Sequence, residues 1–577
     1  MKKWARILGI IILAAVIVIA VLLSRTKPED VWNYASLEDG SVKITGYKGK
    51  KTSVEIPETL GGKPVTVIGR SALDRTGLRS VKIPEGVTTI EDWAFNDCKK
   101  LRSVTLPNSL TSIGERAFSD TGLKEIEIPE GVTSIGDDAF YGCEKLKSVI
   151  LPENLTSVGQ MAFGGCYKLE RVTLPKDLSS FAHSVFTYPG PTSIVIPGGL
   201  KTLTRDDLRD FENVTNVVIS EGFETIGDAA FSGFKSLTSV SLPNSLKSIG
   251  SYAFSYAGLT KIEIPEGVIS IGDEVFSDCE NLTSITLPNS LTSIGGGAFE
   301  HTGLKKVVIP ESVTSIGENP FKGCADLETI EVSAENPAFE VIDGVLFDKN
   351  GQTLIAYPAG LTAASYAVPE GVTAIGEEAF SDCENLTNIT LPDSLTSIAD
   401  FAFSYCENLT SIILPDSLTS IADFAFGYCE NLTTVTLPKD FPTDDRNIFG
   451  SSETLNVIIP EGVTAIGESA FWGWYNLTSV EIPEGVTVIG MGAFHECANL
   501  TNVSLPESLT TIEAYAFSDS GLRSVAIPEG VTSIGDGAFS KFHDALSRVP
   551  MLTSVTVVPG SYAEEWAKEY GLECVYR

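Results

Sequence analysis

The sequence predicts a repeat solenoid with a parallel β-sheet, about 22 rungs of 22–23 residues, preceded by an N-terminal transmembrane helix. Three observations lead there. Residues 391–413 (LPDSLTSIADFAFSYCENLTSII) and 414–436 (LPDSLTSIADFAFGYCENLTTVT) are one sentence written twice, differing only at Ser404/Gly427, Ser411/Thr434, Ile412/Val435 and Ile413/Thr436. That sentence recurs along the chain as L-x-x-V-x-L-P-x-x-V-T-S-I-G-x-x-A-F-x-x-C-x-x-L, with its proline at Pro84, Pro107, Pro129, Pro152, Pro175 and onward to Pro559. Self-similarity at this period marks units that bury their apolar faces only by stacking on neighbours. Lastly, Ile7 to Ser24 carries no charge and is close to the length that spans a bilayer.

The elements follow in chain order. Residues 1–25 read as a signal anchor: Lys2, Lys3 and Arg6 outweigh Arg25 and Lys27, which places the N-terminus in the cytoplasm and the rest outside. The alternative is a secreted chain after signal cleavage; Val18-Ile19-Ala20 is a poor cleavage site because apolar residues continue past it. Residues 26–52 are assigned to a linker and N-terminal cap, 53–542 to the solenoid, and 543–577 to a C-terminal cap. Within the solenoid, 334–362 is an island insertion and 176–218 holds irregular repeats that lose the usual AF and Cys. In each rung SVTLP has the two-residue period of a half-buried strand, which proline ends. VTSIG adds two apolar anchors and a glycine turn, and AF is expected in one helical or 3₁₀ turn. Phe at 95, 118, 140, 163 and on to 539 predicts a column of rings through the core.

Composition narrows function. A net charge of −34 disfavours nucleic acid, whose phosphates need clustered Lys and Arg, so no nucleic acid partner is expected. The acid is dispersed in PEGV turns (Glu85, Glu130, Glu266, Glu484) and is read as solvated. Of the ten Cys, nine sit 14 residues after the marker proline, in a slot that elsewhere holds Thr121, Thr302, Ala257, Phe234 or Trp474. Such replacements mark buried packing sites rather than disulfides or metal ligands. Cys574 lies off the ladder.

Segments LRSVTLP (Leu101–Pro107), PEGVTSIGDDAF (Pro129–Phe140) and FSDCENLTSI (Phe276–Ile285) resemble the BspA-like leucine-rich repeat proteins of bacterial cell surfaces, also known from a Treponema pallidum-type member. Leu37–Gly69 resembles the family's opening, Asn336–Gly360 its inserted hairpin-like island, and Ser561–Arg577 a closing helix and strand. The resemblance implies a leucine-rich-repeat-like right-handed superhelix, extracellular display and protein binding or adhesion. It carries no catalytic residues to transfer.

No nucleophile elbow, phosphate loop or zinc motif is present, and His183, His301, His495 and His543 lie far apart in sequence. No catalytic, cofactor or metal residues are assigned. The expected partner is an extracellular protein or glycan, besides the membrane held by the N-terminal helix. Aromatic anchors are common at binding surfaces, and the corner after AF carries Tyr141, Tyr167, Tyr188, Tyr256, Tyr405, Tyr428, Trp472 and Tyr475. A contact strip centred on FWGWY (Phe471–Tyr475) is expected, with Trp474 in the buried Cys slot and Trp472 pointing outward. The alternatives are rim aromatics that only pack on neighbouring turns, a passive envelope stalk or scaffold, and a carbohydrate-active enzyme.

Overall fold

The computed structural model describes residues 27–176, 184–186, 190–198, 202–439, 448–449, 455–540 and 552–577. The predicted anchor, residues 1–25, lies outside them; among the described residues no helix is long and apolar enough to cross a membrane. His183, His543 and Tyr188 also lie outside. The chain divides into two units, Met1–Leu246 and Lys247–Arg577.

Each rung carries two short parallel strands, where the sequence suggested one. The first is the SVT segment: Ser103–Thr105 pairs in register with Ser80–Lys82, and Ser148–Ile150 with Arg171–Thr173. The second is the SI of VTSIG: in unit one Thr89–Ile90, Ser112–Ile113, Ser134–Ile135 and Ser157–Val158 pair in succession. Unit two repeats the scheme with Ser365–Ala367, Asn388–Thr390, Ser411–Ile413 and Thr434–Thr436 on one ribbon, and Ala374–Ile375, Ser397–Ile398 and Ser420–Ile421 on the other. The middle residue of the first ribbon and the Ile or Val of the second point inward, as at Val149 and Ile113, while Ile150 and Ile413, at the alternate position of the first ribbon, face solvent. The proline between them starts a turn, its carbonyl accepting from a later N–H, as in Leu110 N to Pro107 O at 3.1 Å.

The AF segment, expected in one helical or 3₁₀ turn, is a ribbon of separate turns closed by i to i−3 hydrogen bonds. Trp93, Phe95 and Asp97 donate their N–H groups to Glu115, Ala117 and Ser119 of the next rung at 2.8, 2.7 and 2.9 Å. The alternate groups, Ala94, Asn96 and Cys98, donate back to Glu91, Trp93 and Phe95. A backbone that alternates in this way visits the left-handed region twice per rung: Trp93 (φ 61) and Asp97 (φ 55), Phe424 (φ 53) and Tyr428 (φ 59). Between these corners the Ala and the Phe are fully buried, as at Ala94 and Phe95.

Those rings stack as expected. In unit one Phe95, Phe118, Phe140 and Phe163 lie 4.9, 5.3 and 5.1 Å apart. In unit two Phe471, Phe494, Phe517 and Phe539 lie 4.8, 5.0 and 5.2 Å apart. Each such pair contributes about 0.5–1.5 kcal/mol beyond its buried area. The irregular repeat keeps the column by another route: a 3₁₀ helix, Asp206–Phe211, delivers Phe211 to within 5.3 Å of Phe186. Residues 339–356 form three antiparallel strands, Phe339–Ile342, Val345–Asp348 and Thr353–Ala356. Buried Asn336 fixes their start. Its amide donates to Pro310 O and Val313 O, and its oxygen accepts from Ala338 N and Phe339 N. At the C-terminus Trp566, on the helix Tyr562–Glu569, covers Phe539 at 5.7 Å.

Polar side chains tie rung to rung. Thr111 Oγ1 donates to Thr88 O, Thr156 to Thr133 O and Thr396 to Thr373 O, at 2.8–2.9 Å. The PEGV carboxylates, read as solvated, do more than that. Glu85 accepts from Asn108 N and Ser109 N, and Glu484 from Glu507 N and Ser508 N, so each caps the turn of the next rung while facing water.

Candidate ligand-contact site

The six predicted contact aromatics fall into three columns of the turn ribbon, because their offset from the core Phe decides where each side chain goes. The residue directly after Phe faces the neighbouring rung, and Asn96, Ser119, Ser404 and His495 are buried there. Tyr141 and Trp472 occupy this column. Trp472 is therefore half-buried rather than outward: its indole Nε1 donates to Glu496 Oε2 at 3.1 Å, and its ring lies 5.4 Å from His495. Tyr141 stays 37% exposed. The residue after the Cys slot points to solvent, which exposes Tyr167 and Tyr475. Trp474 fills the slot itself and is buried, with its ring edge-on to Phe471 at 4.9 Å.

Tyr405 and Tyr428 occupy the third column, the left-handed corner two residues after Phe (φ 57 and 59). Their rings stack at 4.7 Å and 4° and remain 41% and 39% exposed. Tyr256 holds the same corner elsewhere in unit two, and its hydroxyl is held above its usual pKa by a hydrogen bond to Asp278. Of the six predicted residues, the structure brings together Tyr405 and Tyr428. It does not draw the FWGWY aromatics into one strip.

Two aromatics escaped sequence reasoning. Phe401 and Phe424, two residues before the core Phe, stack at 5.4 Å and 3° and are half-exposed. With Tyr405 and Tyr428 they make two parallel stacks on the twin rungs. The signal was available, since Trp93, Tyr252 and Tyr515 hold the same offset, but nothing in the sequence alone revealed that this position is a left-handed, outward one.

Backbone economy does not explain these tyrosines. A left-handed corner costs a residue with a Cβ about 1–2 kcal/mol, least for Gly, Asn and Asp. Other rungs place Gly142, Gly165, Asp120, Asp382 or Asp519 there. Burial does not explain them either, since they are exposed. Each remaining histidine lies near one carboxylate: His301 is 3.6 Å from Glu300, and buried His495 contacts Ser518 O at 3.1 Å and Asp519 Oδ2 at 3.9 Å through Nδ1. Among the described residues no group of His, Cys, Asp and Glu could hold a metal ion.

The profile of the BspA type leucine rich repeat region (6 copies) matches residues 66–191, 201–328, 360–476 and 466–563. The chain belongs to the BspA-type leucine-rich repeat family. Its match spans the Phe stacks and the turn ribbon of both units. Among solved structures, a leucine-rich repeat protein from Eubacterium ventriosum is 21% identical, with 89% of this chain and 92% of that chain covered and a TM-score of 0.32. A leucine rich cell surface protein from Faecalibacterium prausnitzii is 24% identical, with 82% and 93% covered and a TM-score of 0.28. The pneumococcal vaccine antigen PcpA is 21% identical, with 78% and 94% covered and a TM-score of 0.39. The comparison with curated proteins returns no match.

Proposed function

We propose that this BspA-type chain is a non-catalytic cell-surface protein that binds an extracellular protein or glycan through the turn ribbon, in the manner of an adhesin. Residues 1–25 anchor it in the cytoplasmic membrane with the repeats outside. The observation that carries the binding reading is the exposed pair Tyr405 and Tyr428, held at left-handed corners where Gly or Asp would be less strained. A rigid ribbon presents such rings with little ordering cost on binding.

A passive stalk has its own support. The Thr and Glu side chains that line the rungs are largely engaged by neighbouring backbone, as at Thr111, Thr156, Glu85 and Glu484, which serves stiffness as well as display.

The full chain in detergent micelles, presented with fibronectin, fibrinogen, collagen, mucin and surface glycans, separates the two. Saturable binding to one of them, weakened about tenfold or more (1.4 kcal/mol per decade) in the Tyr405→Gly/Tyr428→Gly variant, supports contact at the corners. That variant relieves two left-handed Cβ atoms while losing one ring stack, so its melting temperature should hold. Unchanged affinity would move the contact elsewhere on the protein. Absence of binding to every ligand would favour the stalk.

A further inference from the structure

We propose that the N-terminal cap is a membrane-facing surface on which Lys48, Lys50 and Lys51 hold the headgroups of anionic phospholipids. The inference rests on the anchor reading of residues 1–25.

Charge is the first argument. Between Asp39 and Glu55 the chain carries Lys43, Lys48, Lys50 and Lys51 and no carboxylate, within a protein of net charge −34. Lys43 is paired with Glu91 at 3.3 Å. The other three are exposed and make no ion pair among the described residues. Of the acids nearby, Glu29 accepts from Gly61 N, Asp30 from Lys27 N and Asp39 from Ser41 N, and Glu55, which also lines the cleft described below, pairs with Lys82.

Position is the second. In sequence these lysines follow Ser24 by more than 20 residues, outside the stretch that sets membrane orientation, so they do not oppose it. Folding returns them. Trp32–Ser36 pairs antiparallel with Val42–Tyr47, placing Trp32 opposite Tyr47, and Lys48 N donates to Val31 O at 2.8 Å. Lys48 thus sits beside a residue only eight positions after Leu23, the last apolar residue of the anchor. From Leu23 to Pro28 the chain extends at most ~18 Å, so the cap stays close to the headgroup layer.

Shape is the third. A cleft of about 720 Å³ opens here, with Pro28, Val31, Trp32 and Tyr47 among its walls and the three lysines around it. Lysine ammonium groups beside an apolar wall suit a phosphodiester that continues into glycerol and acyl chain. The acidic rungs would be repelled by the same lipid surface, so contact at the cap alone would stand the repeats away from the membrane.

The test uses the full chain reconstituted in vesicles of phosphatidylcholine, with or without phosphatidylglycerol, and reads lysine acylation by mass spectrometry. Lys48, Lys50 and Lys51 are expected to react about fivefold more slowly with phosphatidylglycerol present. Lys145, exposed and several rungs along the same unit, should not change, and about 1 M salt should abolish the difference. Equal rates in both vesicles overturn the inference while leaving the anchor intact. Equal protection by inorganic phosphate over phosphatidylcholine alone overturns it in favour of a free-anion site. Failure of the chain to float with phosphatidylcholine vesicles at about 1 M salt removes the anchor reading, and this inference falls with it.

Discussion

At the scale of single residues, the nine ladder cysteines show why a small apolar slot so often holds sulfur. Each fills space in the core and also offers a weak donor. Cys279, Cys324, Cys429 and Cys497 donate Sγ–H to the carbonyls of Phe254, Phe299, Phe403 and Phe471 in the preceding rung, at 3.0–3.1 Å. Burial pushes the Cys429 and Cys497 thiols up to about 12, so little thiolate exists at neutral pH to react. Thiol alkylation at pH 8 should therefore spare the thiols that burial raises, Cys279, Cys324, Cys383, Cys406, Cys429 and Cys497, in the folded protein and follow the unfolding transition, with half-buried Cys574 reacting first. Thr302 takes the same slot and donates Oγ1–H to Phe299 O at 2.9 Å. Phe403 O keeps the N–H of Cys406 at 3.3 Å, so Cys429→Ala loses one weak bond without orphaning the carbonyl and should cost about 0.5–1.5 kcal/mol; Cys429→Thr should cost less, its hydroxyl reaching the Phe carbonyl of its own rung as Thr302 does. Rapid labelling of ladder thiols in the native state would refute the buried-donor account.

At the scale of the element, the turn ribbon and the acidic ties were the least legible features. The hydrophobic period exposed the strands and the Phe column, because inward residues must be apolar wherever they occur. It could not expose the left-handed corners: Trp93, Arg116, Met161 and Phe424 share that conformation without sharing chemistry. Nor could it show that Glu85 and Glu484 cap the next rung, since a charged turn residue looks the same whether or not it meets an N–H. Trp472 was misplaced for the same reason, as one position along this ribbon changes inward to outward. The structure also sets two carboxyls in opposite senses. Backbone hydrogen bonds from Asn244 hold Glu221 below its usual range, so its contribution is present at neutral pH and fades in acid. Glu377 sits where the rung of Glu318 meets the rung following the island. Burial, then the Glu318 and Asp400 carboxylates, raise it from an ordinary 4.5 to about 7. The folded state thus holds this proton more tightly than the unfolded chain, and the contribution, complete below about pH 4.5, is lost as pH rises through about 7. Glu377→Gln should raise the melting temperature more at pH 8 than at pH 5. A difference between variant and parent that is the same at both pH values would show that Glu377 titrates normally.

At the scale of the whole molecule, the rung acts as the unit of stability because the repeating ties reach only to the next one. The Phe stack, the threonine bonds and the paired ribbons all repeat at 22–23 residues, so stability approximates a sum over rungs and their interfaces. The twin rungs allow a direct test. Deleting residues 414–436 joins Ile413 to Leu437 and leaves residues 391–413 to present nearly the same face to the following rung. Their Phe403 takes the place of Phe426, which lies 5.5 Å from Phe449. The shortened chain should fold, with unchanged circular dichroism per residue and a melting temperature within about 5 °C of the parent. Deleting 414–425 instead removes half a rung, leaving Phe426 and Cys429 without the strands that position them. That chain should lose cooperative unfolding, since the missing strands expose both the core column and unpaired ribbon edges. If the 23-residue deletion proved as damaging as the 12-residue one, coupling would extend beyond adjacent rungs, and the near-identity of the two sentences would need a reason other than addition of one more layer.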